Sequence, residues 1–280
     1  MFAAVLILLA TTAKLGNATE AEVDHHLADA RKLDMASRIA RLSELFIDTP
    51  YGEQPLGEGE GREPQPRWRL DVMDCQTLVE TVLAMANANS VAEAKLVLDD
   101  IRYASPNDIS FGGRNHFFEA QWVPAALRKG YLREAVRDID GGAPQADLVL
   151  KRSDWPQKAA LRRLAPVASR IPEGRFSIRY LPLEEARAKK GEIEPGTVLA
   201  TVREASRHVV RVTHMGFVLK TAEGIVVRHA GSDDKRVLDE PFDDFIKRQE
   251  RYKWRVIGIA LYAPKDAKAR ATKVTARTAD

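Results

Sequence analysis

An α+β fold, with helices in the first half packed on an antiparallel sheet from the second half, is predicted by two observations. Apolar residues recur at helical spacing up to Gly130, and β-branched or alternating runs dominate from Phe176 onward. Gly, Pro and Asp separate those runs by short connections, which argue antiparallel neighbours rather than parallel crossovers. Between Glu20 and Ile47, Leu27, Ala30, Leu33, Ile39, Leu42, Leu45 and Phe46 mark one or two amphipathic helices. Thr49 to Pro66, containing TPYGEQPLGEGEG, must be a loop at that density of Gly and Pro. Gln76 to Asn87 reads as a helix with Leu78, Val79, Val82, Leu83 and Ala86 on one stripe. Asp74 is its N-cap candidate, because a carboxylate there accepts from the first free amides. Ser90 and Glu93 make a capping box for a helix ending near Tyr103, and Gly130 terminates another over Val123 to Lys129. Strands are expected at Phe176 to Leu181, Thr197 to Val202, Met215 to Leu219, Ile225 to Arg228 and Arg255 to Tyr262. Residues 265–280 show no apolar periodicity and are expected to form a flexible basic tail.

With 45% hydrophobic residues among 280, the chain can build a real core, which excludes wholesale disorder. The 43 basic and 40 acidic residues nearly balance, and no block of like charges appears, which argues against nucleic-acid binding. A single cysteine, Cys75, rules out an internal disulfide, a CxxC motif and an all-cysteine zinc site. Phe2 to Ala10 is an apolar run too short for a bilayer, which needs roughly 20 residues. It matches the core of a signal peptide, with Ala18 as the last residue before cleavage. The expected organisation is a signal peptide over 1–18, one catalytic domain over 19–264, and the tail.

Cys75 stands just behind a helix N-cap, where free amides and the helix dipole favour an anion and lower a thiol pKa. The same amides suit the oxyanion of a tetrahedral intermediate. A buried cysteine acting as a small hydrophobe fits the position equally well. His214, in HMGFVLK, and His229, in GIVVRHAG, would meet across a short hairpin. A cysteine nucleophile needs an imidazole to take its proton, and that imidazole needs a partner to set its tautomer. Cys75, His214 and His229 as three zinc ligands is the competing reading, although zinc motifs commonly bring two ligands close in sequence. His25, His26 and His208 read as surface residues. Arg114, Asn115 and His116, beside Gly112 and Gly113, could line a polar cleft or form an ordinary packed loop.

The segments DVMDCQTLVETVLA, TPYGEQPLGEG, RNHFFEAQW, EPGTVLATV, HMGFV and RHAG together resemble the bacterial N-acetylmuramoyl-L-alanine amidase-like family, a branch of the NlpC-type papain-fold cell-wall hydrolases. The resemblance spans roughly Thr49 to Tyr262. It implies a papain-like cysteine hydrolase fold, a mechanism without metal or other cofactor, and peptidoglycan or muropeptide as substrate. By position, Cys75 would be the nucleophile, His214 the general base and His229 its orienting partner. Tyr51 falls where related enzymes place a tyrosine near the oxyanion. Gln76-Thr77 departs from the Ser-Gly that follows the cysteine in many relatives, which points to the amidase-like branch rather than the endopeptidases. Asp74, Arg114, Asn115, His116 and Arg228 are the expected substrate-binding residues, the arginines through a stem-peptide carboxylate. The resemblance implies cleavage of the amide between N-acetylmuramic acid and L-alanine, with a cysteine endopeptidase cutting within the stem peptide or a non-catalytic wall-binding protein as the alternatives. The expected protein is a monomer in the periplasm or secreted, without stable membrane insertion.

Overall fold

A computed structural model describes residues 15–153, 159–204 and 210–276. In chain order the elements are α1 (Glu20–Ala30), α2 (Met35–Glu44), α3 (Cys75–Ala86), α4 (Val91–Arg102), α5 (Val123–Lys129), β1 (Leu132–Glu134), α6 (Val136–Ile139), β2 (Gln145–Leu150) and α7 (Ala159–Arg162). There follow β3 (Gly174–Arg179), β4 (Leu181–Pro182), α8 (Leu183–Ala188), β5 (Thr197–Arg203), β6 (Val212–Thr221), β7 (Gly224–Gly231), β8 (Arg236–Pro241), α9 (Phe242–Glu250), β9 (Val256–Pro264) and α10 (Lys268–Ala276).

Local chemistry sets the helix ends. Asp74 caps α3 through a box with Thr77, and Gly130 closes α5 in the left-handed conformation that glycine adopts without strain. Ser90 accepts the Glu93 amide at 3.2 Å, but the Glu93 carboxylate reaches past the cap to the Asn89 amide at 2.6 Å. Half of that expected box is therefore displaced by one residue.

The main sheet runs β1-β9-β5-β6-β7-β8, all antiparallel, with β4 also paired to β9, while β2 and β3 form a separate ribbon. The helices of the first half cover one face, and Leu27, Ile39, Leu78, Val82 and Leu98 join Phe217, Leu219 and Tyr262 in the larger core. The other face is also covered. Phe242, Phe245 and Ile246 of α9 and Ala186 of α8 pack on Leu199, Val218, Val227 and Leu261. β5, buried throughout, lies between the two layers. The α+β expectation holds, with an additional helical layer that the strand-rich second half concealed.

The expected flexible tail is corrected. Residues 268–276 form α10, which packs on α4, and Ala267, Ala271 and Val274 make an apolar stripe at helical spacing. Arg270 donates from Nε at 2.8 Å to Asp100, which also accepts from the Tyr131 hydroxyl at 2.8 Å. Residues 277–280 lie outside the described residues, as do residues 1–14 of the expected signal peptide and His208. The remaining part of the 1–18 segment meets the domain, with Leu15 buried in the larger core. Among the described residues, no helix is long and apolar enough to cross a membrane.

Asp100 is fully buried and holds both Arg270 and Lys129. Removing one member of a buried charge cluster leaves the others uncompensated. Asp100→Ala should therefore cost about 3 kcal/mol in urea unfolding and speed amide exchange across 268–276.

Candidate active site

Cys75 is the first residue of α3, half-buried, behind the Asp74 cap. Asp74 accepts the Thr77 amide at 2.7 Å and the Thr77 hydroxyl at 2.8 Å, so its carboxylate serves the helix start. The backbone amides of Met215, Gln76 and Cys75 itself favour the thiolate. Burial, reinforced by the Asp74 carboxylate, nevertheless pushes the thiol up to about 12. The expectation of a lowered pKa is thus corrected. Desolvation of the thiolate outweighs the helix-start donors, because a buried anion loses more hydration than a few amides restore. Tyr51 stands beside the thiol, and burial followed by the Cys75 and Asp74 charges pushes its hydroxyl up to about 12. It keeps its proton and remains a donor. Main-chain bonds hold it there: the Tyr51 amide donates to Lys235 at 2.8 Å, and the Gly52 amide to Met73 at 3.0 Å.

The β6–β7 hairpin carries the two histidines. The β5–β6 register shifts between Ala200 and Val202, opposite Thr213 and His214, so His214 sits in a bulge at the start of its strand. Such bulges re-aim a side chain without ending the sheet. The His214 Nε2 and His229 Nδ1 atoms are hydrogen-bonded at 2.9 Å, and the rings are nearly perpendicular at 84°. Both rings lie against Phe245 of α9. Gly216 makes this approach possible, since a Cβ there would fall 2.7 Å from the Arg228 carbonyl oxygen and 2.9 Å from the His229 Cβ. Burial, then the His229 and Arg248 charges, hold His214 well below the usual histidine range. Its imidazole is neutral at neutral pH. The residue that follows it, Met215, enters the core shared with α3.

A cleft of about 150 Å³ opens beside the head of α3, lined by Asp74, Gln76 and Thr77 on one side and Arg114, Asn115 and His116 on another. The last three are in place, but their polar groups are engaged within the protein. Arg114 is held by Glu58 and Glu63. Asn115 is buried and donates to the Ile101 carbonyl. His116 bonds the Phe111 carbonyl through Nε2 at 2.6 Å, and burial pushes it down to about 4. Gln54, Gln76, Arg102 and Arg163 also line the cleft and were missed in the sequence. Of these, Arg163 is the exposed guanidinium.

Arg228 does not line this cleft, and neither do Tyr51, Cys75, His214 or His229. Arg228 makes a two-pronged pair with Asp239, both contacts at 2.7 Å, and donates to the Ala40 carbonyl of α2 at 3.0 Å. Neighbouring residues of a strand point to opposite faces, so Arg228 and His229 cannot share one site. Among the described residues, no group of three or more His, Cys, Asp or Glu is placed to hold a metal. The facing nitrogens of His214 and His229 bind each other, which leaves them no shared direction for an ion.

Fold and site together define an α+β protein that sets a cysteine at the head of a core helix, beside a hairpin bearing coupled histidines. Residues 41–253 match the AmiA-like family, described as N-acetylmuramoyl-L-alanine amidase-like, and the chain belongs to that family. The fold is also that of a Legionella pneumophila protein, at TM-score 0.76 and 22% identity over 88% of this chain and 94% of that one. An N-acetylmuramoyl-L-alanine amidase from Bacteroides uniformis superposes at TM-score 0.64 with 24% identity, covering 85% of this chain and 99% of that one. A putative xylanase from Bacteroides fragilis superposes at TM-score 0.61 with 23% identity, over 79% of this chain and 98% of that one. No curated protein matches the chain.

Because the thiol is pushed up to about 12, its thiolate fraction grows only as pH rises past the free-thiol range. The rate of iodoacetamide alkylation should therefore climb at higher pH than for a free thiol. Asp74→Asn keeps a capping side chain but removes the charge beside the sulfur, so the profile should move to lower pH with little loss of stability. A wild-type profile rising below pH 8 would contradict the burial argument.

Proposed function

We propose that the protein is an exported peptidoglycan hydrolase that cleaves the amide between N-acetylmuramic acid and L-alanine, using Cys75, His214 and His229. The observation that carries this reading is the hydrogen-bonded histidine pair, whose first strand packs on the helix headed by Cys75. Membership of an amidase-like family and the printed activity of the Bacteroides uniformis neighbour support the choice of substrate.

The reaction starts from a neutral thiol and a neutral imidazole. As the sulfur attacks the substrate carbonyl, the thiol proton passes to Nδ1 of His214, the ring nitrogen not bonded to His229. Charge develops on the carbonyl oxygen, where the first amides of α3 and the protonated Tyr51 hydroxyl supply donors. Imidazolium then protonates the departing amine, and the C–N bond breaks to leave a thioester. Water, deprotonated by His214, releases the muramyl acid and restores the thiol. Asp74 supports the helix start, while Gln76, Asn115, His116 and Arg163 shape the cleft for the peptide. Export through residues 1–18 to the periplasm or medium accords with a wall substrate.

Mass spectrometry of products from a defined muramyl peptide tests the bond assignment. Free muramyl sugar with an intact peptide is expected, whereas a shortened peptide would move the cut into the stem. Cys75→Ala and His214→Ala should each abolish hydrolysis in folded protein, while His229→Ala keeps a residue of activity. Full activity in Cys75→Ala would end the cysteine mechanism.

EDTA should leave the rate unchanged, because the nucleophile belongs to the protein and no metal-bound water is required. Loss of activity on chelation, restored by zinc, would overturn this expectation.

A further inference from the structure

The His214–His229 hydrogen bond admits two proton arrangements, because one nitrogen must carry the hydrogen and the other must not. Only one of them is useful to a base. If His214 carries its proton on Nε2 and donates to His229, its Nδ1 keeps a lone pair. If His229 donates instead, Nδ1 of neutral His214 holds the proton, and no base faces outward from the pair.

What decides lies at the far nitrogen of His229. Its Nε2 has two neighbours: Glu240 Oε2 at 3.2 Å, which only accepts, and an Arg248 guanidinium nitrogen at 3.1 Å, which only donates. Acceptance by Glu240 puts the proton on Nε2, leaves Nδ1 bare and selects the useful arrangement. Donation by Arg248 selects the other. Arg248 also donates to the same Glu240 oxygen, and through its other terminal nitrogen to Asp234 at 3.0 Å. Those two carboxylates draw its hydrogens away from the ring.

We infer that Glu240, braced by Arg248, is a positioning residue that fixes the tautomers of His229 and His214 and so keeps Nδ1 of His214 able to take a proton. This rests on the proposed cysteine mechanism for its functional meaning, but the tautomers themselves do not depend on which bond is cut. The placement follows from the sheet. His229 pairs directly with Leu238, and Glu240 lies two residues along β8 on the same face, within diagonal reach. His229 is fully buried, and the Glu240 side chain is 15% exposed, so little water competes for the ring nitrogen. The charged and titratable groups around the pair are Glu240 on β8, Arg248 on α9, Asp234 in the β7–β8 turn, and Asp233 and Tyr252 beside Arg248.

Nitrogen-15 spectra of histidine-labelled protein read the tautomers directly, whether or not the protein is active. Both His214 and His229 should carry their proton on Nε2. Glu240→Ala should move the His229 proton to Nδ1, whereas Glu240→Gln, which retains an accepting oxygen, should preserve the wild-type arrangement. In hydrolysis, Glu240→Ala should lower kcat with little change in KM, by up to about 10⁴-fold, the loss that a wrong imidazole tautomer produces in a related triad. Glu240→Gln should lose far less. Adding Arg248→Met to Glu240→Ala removes the competing donor and should recover about tenfold or more over the single variant. Additive losses in the double variant, or a His229 proton on Nδ1 in the wild type, would overturn the inference. Wild-type protein with the expected tautomers but no hydrolysis would instead count against the proposed function alone.

Discussion

The carboxylate of Glu80 ties together the segments that wall the cleft beside the head of α3. It is buried in the middle of α3 and pairs with buried Arg102 at 2.7 Å. Its other oxygen accepts from Gln76 on the same helix and from the Trp122 indole, both at 2.8 Å. Arg102 extends the network to the Leu56 carbonyl in the Gly/Pro-rich loop, while its own carbonyl takes the Asn115 amide at 2.9 Å. The loop, the end of α4, the RNH segment and the approach to α5 are therefore all referred to one turn of the cysteine helix. A buried pair of this kind adds little net stability over apolar packing, yet breaking it is costly. Its consequence here is geometric. The walls of the cleft cannot shift independently of the helix that carries the thiol.

That same burial dictates the resting chemistry. A helix start is ordinarily a favourable place for an anion, but burial of the sulfur outweighs it here. Desolvation pushes the thiol up and His214 down, so both groups rest uncharged. In the proposed mechanism, charge would appear only when a substrate carbonyl brings its own developing oxyanion within reach of the helix-start amides and the Tyr51 hydroxyl.

Legibility in the sequence followed the range of the interactions. Caps and terminators act over three or four residues, and Asp74 and Gly130 were readable for that reason. The Cys75–His214–His229 set could be nominated from residue type and hairpin spacing. α10 escaped because its buried stripe is two alanines and one valine, which carry little hydrophobic signal until α4 is there to receive them. The two arginines differ in the same way. Arg228 is separable from His229 by strand alternation alone, since the two are neighbours. The partners of Arg114 were not legible, because Glu58 and Glu63 reach it only once the loop has folded across Tyr103. Glu240 and Arg248 were invisible for the same reason, being ordinary surface-type residues until β8 and α9 bring them to a buried ring.

β6 links these two environments. Met215, Phe217 and Leu219 enter the core shared with α3, whereas Val218 enters the core shared with α9, so one strand belongs to both layers. At its start the bulge places His214 against Phe245 of α9, while the next residue, Met215, enters the core shared with α3. A slip of one residue in β6 would exchange the two faces. It would take the imidazole away from Phe245 and His229. The β5–β6 register, secured on its far side by Gly196 donating to the Val218 carbonyl at 2.8 Å, is thus as much a part of the site as the residues it positions.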